Sequence, residues 1–106
     1  MPLPVSITQR LRLPLIAAPM LLVSGPDLVI AACRAGVIGS FPTKNCRTVD
    51  DLERWLARMQ EETDGRAPYA PNLIVHKTNT RLNEDMKLVE KYAPSIVITS
   101  VGSRRR

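Results

Sequence analysis

The sequence predicts a parallel α/β fold, and three observations carry that prediction. Four short apolar runs, each bounded by Pro or Gly, alternate with stretches whose apolar residues recur at three- and four-residue steps. Each strand–helix unit takes roughly 25 to 30 residues, the size of a βαβ unit. Aromatic residues make up only 4% of the chain, so the core is built from Leu, Ile, Val, Ala and Met, which suits parallel strands covered by helices. A length of 106 residues suffices for one small domain with its own core.

Residues 1–12 read as a lead-in with one helical turn over the bottom of the sheet. Residues 14–18 form the first strand. Pro19 stops it, because proline has no N–H to give a ladder. The following loop, Pro19-Met20-Leu21-Leu22-Val23, leaves the sheet at the strand's carboxyl end, where ligands bind in parallel α/β sheets. Ser24 is placed to cap a helix, with Pro26 and Asp27 in its first turn. Leu28, Val29, Ala31, Ala32 and Ala35 fall on nearly every side, which predicts a well-buried helix. Gly36 ends it where a left-handed cap is needed.

Val37–Phe41 is the second strand, with Pro42 as its stop. Gly39 within it marks a close approach of backbone or ligand. Thr48 starts the second helix, and Asp50 and Asp51 face the positive end of its dipole. Val49, Leu52, Trp55, Leu56 and Met59 mark its buried face, with Trp55 read as core. Residues 63–68 are a turn cluster. Residues 69–76 contain the third strand. Thr80 is placed to cap a third helix, whose Leu82, Met86, Val89 and Tyr92 share a face. Residues 95–100 are the fourth strand.

This series fits two architectures. One is the first half of a (β/α)8 barrel, whose full form needs about 250 residues. The other is a small open doubly wound sheet. A half-barrel leaves two apolar edges free, which is an association hazard.

Removing Arg104-Arg105-Arg106 from the formal net charge of +5 leaves +2, so the basicity belongs to the terminus and not to a basic face. Residues 104–106 read as a disordered tail. No aromatic stacking platform or recognition motif accompanies them, so no nucleic-acid partner is expected. Cys33 and Cys46 are too few for a disulfide framework and too far apart for a metal knuckle. Cys33 reads as a small buried residue. Cys46, between Lys44 and Arg47, reads as an exposed thiol, with a cation-lowered pKa as the alternative. No apolar stretch reaches the length of a membrane span, and the start lacks a signal-peptide layout. A cytoplasmic protein with no membrane partner is expected.

Three segments in order resemble the opening of the nitronate monooxygenase (2-nitropropane dioxygenase) family: Pro14-Leu15-Ile16-Ala17-Ala18-Pro19-Met20, Ser24-Gly25-Pro26-Asp27-Leu28-Val29-Ile30-Ala31-Ala32, and Ala35-Gly36-Val37-Ile38-Gly39-Ser40. Asn72-Leu73-Ile74-Val75 and Ile98-Thr99-Ser100-Val101-Gly102 fall where that family's third and fourth strands would lie. The resemblance covers about residues 13 to 103. It implies the N-terminal portion of an FMN-dependent barrel that oxidises alkyl nitronates with O2, or a parent similar to the flavin-dependent enoyl reductases.

By that resemblance Pro19, Met20 and Leu21 would line the flavin ring, largely through backbone groups, and Asn72 would offer its side-chain amide. Ser100 and Gly102 are lesser candidates for the same mouth. Each competes with a structural role, Met20 as core filler and Asn72 as a turn residue after Pro71. A flavin ring needs apolar walls and a few fixed donors and acceptors. The family's catalytic histidine lies on a later strand, so no catalytic residue is assigned here. His76, the lone histidine, is either a general base, an anion contact or a loop residue. The family's glycine-rich phosphate loops have no counterpart in this sequence. The chain is therefore expected to supply one wall of a flavin site and to be inactive alone. The rival reading is a non-catalytic α/β module that self-associates through its sheet edges, as a homo-oligomer. No metal site is expected.

Overall fold

The computed structural model describes residues 4–101. The lead-in forms α1 (Val5–Thr8), and the strands are β1 (Ile16–Ala17), β2 (Ile38–Pro42), β3 (Tyr69–Ile74) and β4 (Ile98–Ser100). Between them run α2 (Pro26–Ala35), a 3-10 turn at Thr43–Asn45, α3 (Val49–Glu62) and α4 (Leu82–Tyr92). The four strands form one curled open sheet in the order β1-β2-β3-β4, and every neighbouring pair is parallel. The order never reverses, so right-handed crossovers put all the helices on one face. Helices α2, α3 and α4 pack in sequence against one another, as that requires. The fold is the half-barrel arrangement of the βαβαβαβ series. A doubly wound sheet would need a switch in strand order, and none is present.

Side-chain alternation divides the sheet into two faces. A Cβ on Gly39 would stand 2.5 Å from the Val29 carbonyl oxygen, so Gly39 faces α2 and lets the helix backbone touch the strand. Of the two readings of Gly39, the close approach is by backbone. Gly39 pairs with Tyr69, so Tyr69, Phe41, Pro71 and Leu73 share the helix face. Phe41, Leu52, Leu56 and Met59 are fully buried there, with the Phe41 and Trp55 rings 5.6 Å apart. The opposite, concave face carries Ser40, Asn72, Ile98 and Ser100.

Gly36 takes φ +93°, the left-handed cap that the sequence predicts, and its N–H bonds the Cys33 carbonyl at 3.1 Å. Thr48 caps α3 by accepting from the Asp51 N–H at 3.1 Å. Below the sheet, Arg10 donates to Ser95 Oγ at 2.9 Å, joining the lead-in of β1 to that of β4.

Several expectations need correction. β1 pairs over only two residues, not five, because the flanking prolines Pro14 and Pro19 leave little of it for a ladder. The Ser40 hydroxyl, donating to the Ala17 carbonyl, adds a side-chain tie to that short pairing. Helix α2 is buried on one side only, through Val29, Ile30 and Cys33, while Leu28, Ala31 and Ala35 are exposed. Its N-cap is Gly25, because the Ser24 hydroxyl is taken by the Met20 N–H instead. Thr80 does not cap α4. Asn79 takes the Arg81 N–H on its own side chain, and the helix begins two residues later than Thr80. On α4 Met86 is exposed and Asp85 is buried in its place.

Candidate functional site

The carboxyl ends of β1, β2 and β3 gather most of the residues singled out in the sequence. The loop after β1 is held by two side chains, Asn45 and Ser24. Asn45, at the end of the 3-10 turn that follows β2, donates from Nδ2 to the Met20 carbonyl at 3.0 Å and the Ser24 carbonyl at 2.8 Å. Its Oδ1 accepts the Leu22 N–H at 2.7 Å. Ser24 Oγ accepts the Met20 N–H at 2.9 Å. Both backbone groups of Met20 are therefore engaged inside the loop, and its half-exposed side chain is what it presents outward. Leu21 is exposed, and Pro19 is half-buried.

The loop held by Asn45 also carries strain. Leu22 sits at φ +65°, a left-handed conformation that a Leu side chain adopts at a cost of about 1–2 kcal/mol, and its side chain is 88% exposed. Asn45 was not singled out by the sequence reading. The available signal was an Asn three residues after the strand stop Pro42, which does not say which loop it reaches.

Asn72 lies on β3 beside Pro42 of β2 and Ile98 of β4, on the concave face. It is 8% exposed. Its Oδ1 accepts the Ser100 hydroxyl at 3.1 Å, which fixes the amide. Its Nδ2 has no acceptor among the described residues. The Nδ2 atom is not among the fully buried unpartnered atoms, so its donors remain within reach of solvent. Asn72 is the fourth of the six residues of β3 and not part of a turn after Pro71. The loop 19–21 and Asn72 share the carboxyl end of the sheet with β2 between them, and no hydrogen bond joins them among the described residues. Ser100 joins this group through Asn72. Gly102 and the Arg104–Arg106 run lie outside the described residues.

His76 is half-buried beyond β3, where its Nδ1 lies 2.9 Å from Thr78 Oγ1 and accepts the Thr78 N–H at 3.2 Å. These contacts make it a turn-forming loop residue. Beside it two cavities flank the β3–α4 loop, of about 210 Å³ and 340 Å³, with Asn79 and Thr80 lining both. Neither includes Met20, Leu21 or Asn72.

Under that loop, Arg81 ties the 3-10 turn after β2 to α4. Its guanidinium donates to the Cys46 carbonyl at 2.7 Å and the Thr43 carbonyl at 3.2 Å, and it reaches the buried Asp85 at 3.4 Å. Burial pushes the Asp85 carboxyl above its usual range, against the opposing pull of Arg81. Cys46 turns inward over this brace and is 1% exposed, so both readings of a surface or activated thiol are overturned. Burial raises its pKa to about 12 despite the nearby Arg81 cation. Cys33 is buried as expected.

Among the described residues no group of His, Cys, Asp and Glu is arranged to hold a metal, and no helix is long and apolar enough to cross a membrane. In comparisons with family models, curated proteins and solved structures, nothing matches this chain.

Proposed function

We propose that this chain forms the N-terminal wall of a flavin site in an FMN-dependent barrel oxidoreductase resembling the nitronate monooxygenases. The observation that carries the reading is the Asn72 amide. It lies in the carboxyl-terminal half of a parallel strand, its Oδ1 bonded by Ser100, with its two N–H donors solvent-accessible and without a protein acceptor among the described residues. Such donors suit the carbonyl and ring-nitrogen acceptors of an isoalloxazine. Met20 and Leu21 add exposed apolar surface on a loop that Asn45 holds in place. An apolar wall with few fixed polar groups is what a ring of that kind requires.

Bound flavin would supply the electron acceptor for an anionic alkyl nitronate, with O2 as the final acceptor. This chain's own part is limited to binding and orientation. Pro19, Met20 and Leu21 would shield one side of the ring from water, and Asn72 would fix its register by hydrogen bonding. No base for proton abstraction is assigned on these residues. The purified chain should therefore show no nitronate-dependent oxygen uptake.

The test is a titration of the chain with FMN, followed by the visible flavin bands. Perturbed bands are expected, with binding weakened roughly tenfold in Asn72→Ala for the loss of about 1.4 kcal/mol of hydrogen bonding. Bands unchanged at every FMN concentration would remove the flavin reading. Equal binding by Asn72→Ala would remove Asn72 from the site.

A further inference from the structure

We infer that two copies of this chain close into a single eight-stranded parallel barrel, with β4 of each copy pairing with β1 of the other. The inference rests on the sheet and is independent of the flavin reading. In a parallel ladder each residue turns both of its backbone groups to the same side, and successive residues alternate. The Leu15 carbonyl accepts the Ile38 N–H at 3.0 Å, so the N–H and C=O of Ile16 face away from β2. The Ser100 carbonyl accepts the Val75 N–H at 2.6 Å, so the backbone groups of Thr99 face away from β3. Both outer edges are thus unpaired among the described residues.

Apolar surface concentrates beside these edges. Leu15 is 55% and Ile16 52% exposed at one edge, and Val97 is 40% and Val101 68% exposed at the other. Neither strand carries the Lys or inward-pointing charge with which edges are usually blunted. Pro14, which cannot donate, confines the β1 seam to the residues after it.

The second copy is selected by number, direction and symmetry. A parallel α/β barrel fills its interior at eight strands, and this unit supplies four in unreversed, curled order. Its two free edges are different strands running in the same direction. A two-fold axis along the barrel brings β1 of each copy to β4 of the other, twice, and leaves no edge open. The contact is self-closing, so assembly stops at the dimer. The concave row Ser40, Asn72, Ile98 and Ser100 then faces the same row of the second copy across the barrel interior.

Sedimentation equilibrium on the 106-residue chain, without flavin, tests this together with hydrogen exchange. The expected result is a monomer–dimer equilibrium that stops at twice 11.8 kDa. The Ile16 and Thr99 amides should gain protection only in the dimer. Ile16→Lys should weaken the dimer about tenfold or more. Thr99→Pro, which removes only an outward N–H, should do the same while keeping the monomer's circular dichroism, and it serves if the first variant fails to fold. A monomer at every concentration, an open ladder of larger species, or a dimer with both amides unprotected would each overturn the inference. A dimer that binds no flavin upholds it and removes the flavin reading alone.

Discussion

Asn45 shows how one side chain can set the shape of a loop it does not belong to. Its three hydrogen bonds span from the turn after β2 to the loop after β1, and one of them holds Leu22 in its left-handed conformation. Asn45→Ala should lower stability by about 1–3 kcal/mol, since it leaves the Met20 and Ser24 carbonyls and the Leu22 N–H without those partners. The fall should appear as a lower urea midpoint with an unchanged slope. An unchanged midpoint would mean that the loop is held by Ser24 alone. The same residue marks a limit of sequence reading. A side chain's local bonding options are visible in sequence, but a partner more than twenty positions away is set by the sheet. Ser24 errs for a related reason, since a hydroxyl suited to capping was claimed first by the Met20 N–H.

At the scale of elements, the apolar periods and the stops locate every strand and helix core, and Gly36 and Thr48 behave as their residue types predict. Boundaries are less legible. β1 shrinks to two residues because prolines flank it on both sides, and apolarity alone does not make a ladder. Asp85 is a further case. A carboxylate on a helix reads as solvated, yet here it replaces Met86 on the buried face because Arg81 meets it one turn earlier.

Its burial raises its pKa in the folded state, so the folded chain holds the proton more tightly than the unfolded chain does. Stability from this group is greatest below its unfolded pKa of about 3.9, and it falls as pH rises towards the folded value, then levels. Asp85→Asn removes that dependence. Urea midpoints of the two proteins measured from acid towards neutral pH should therefore diverge, with the wild type losing ground to the variant as pH rises, and then run parallel. Curves that run parallel over the whole range would contradict a raised Asp85 pKa.

For the whole molecule, the strand order decides between the two architectures that the sequence leaves open. Alternating strands and helices give a parallel sheet, but they carry no mark of whether successive crossovers reverse. Only the pairing of β1 with β2, β2 with β3 and β3 with β4 does. That order faces one set of residues to the helices and leaves Asn72, Ser40 and Ser100 on the concave side.

The central proposal is that the described residues hold a wall for a flavin ring and no grip for its phosphate. Parallel titrations of the chain with FMN and with riboflavin, which lacks the phosphate, test it most directly. The account predicts perturbed visible bands with both, at affinities within about threefold of each other, since threefold is well under 1 kcal/mol. Unperturbed bands with both ligands, or FMN favoured about a hundredfold over riboflavin, would contradict it.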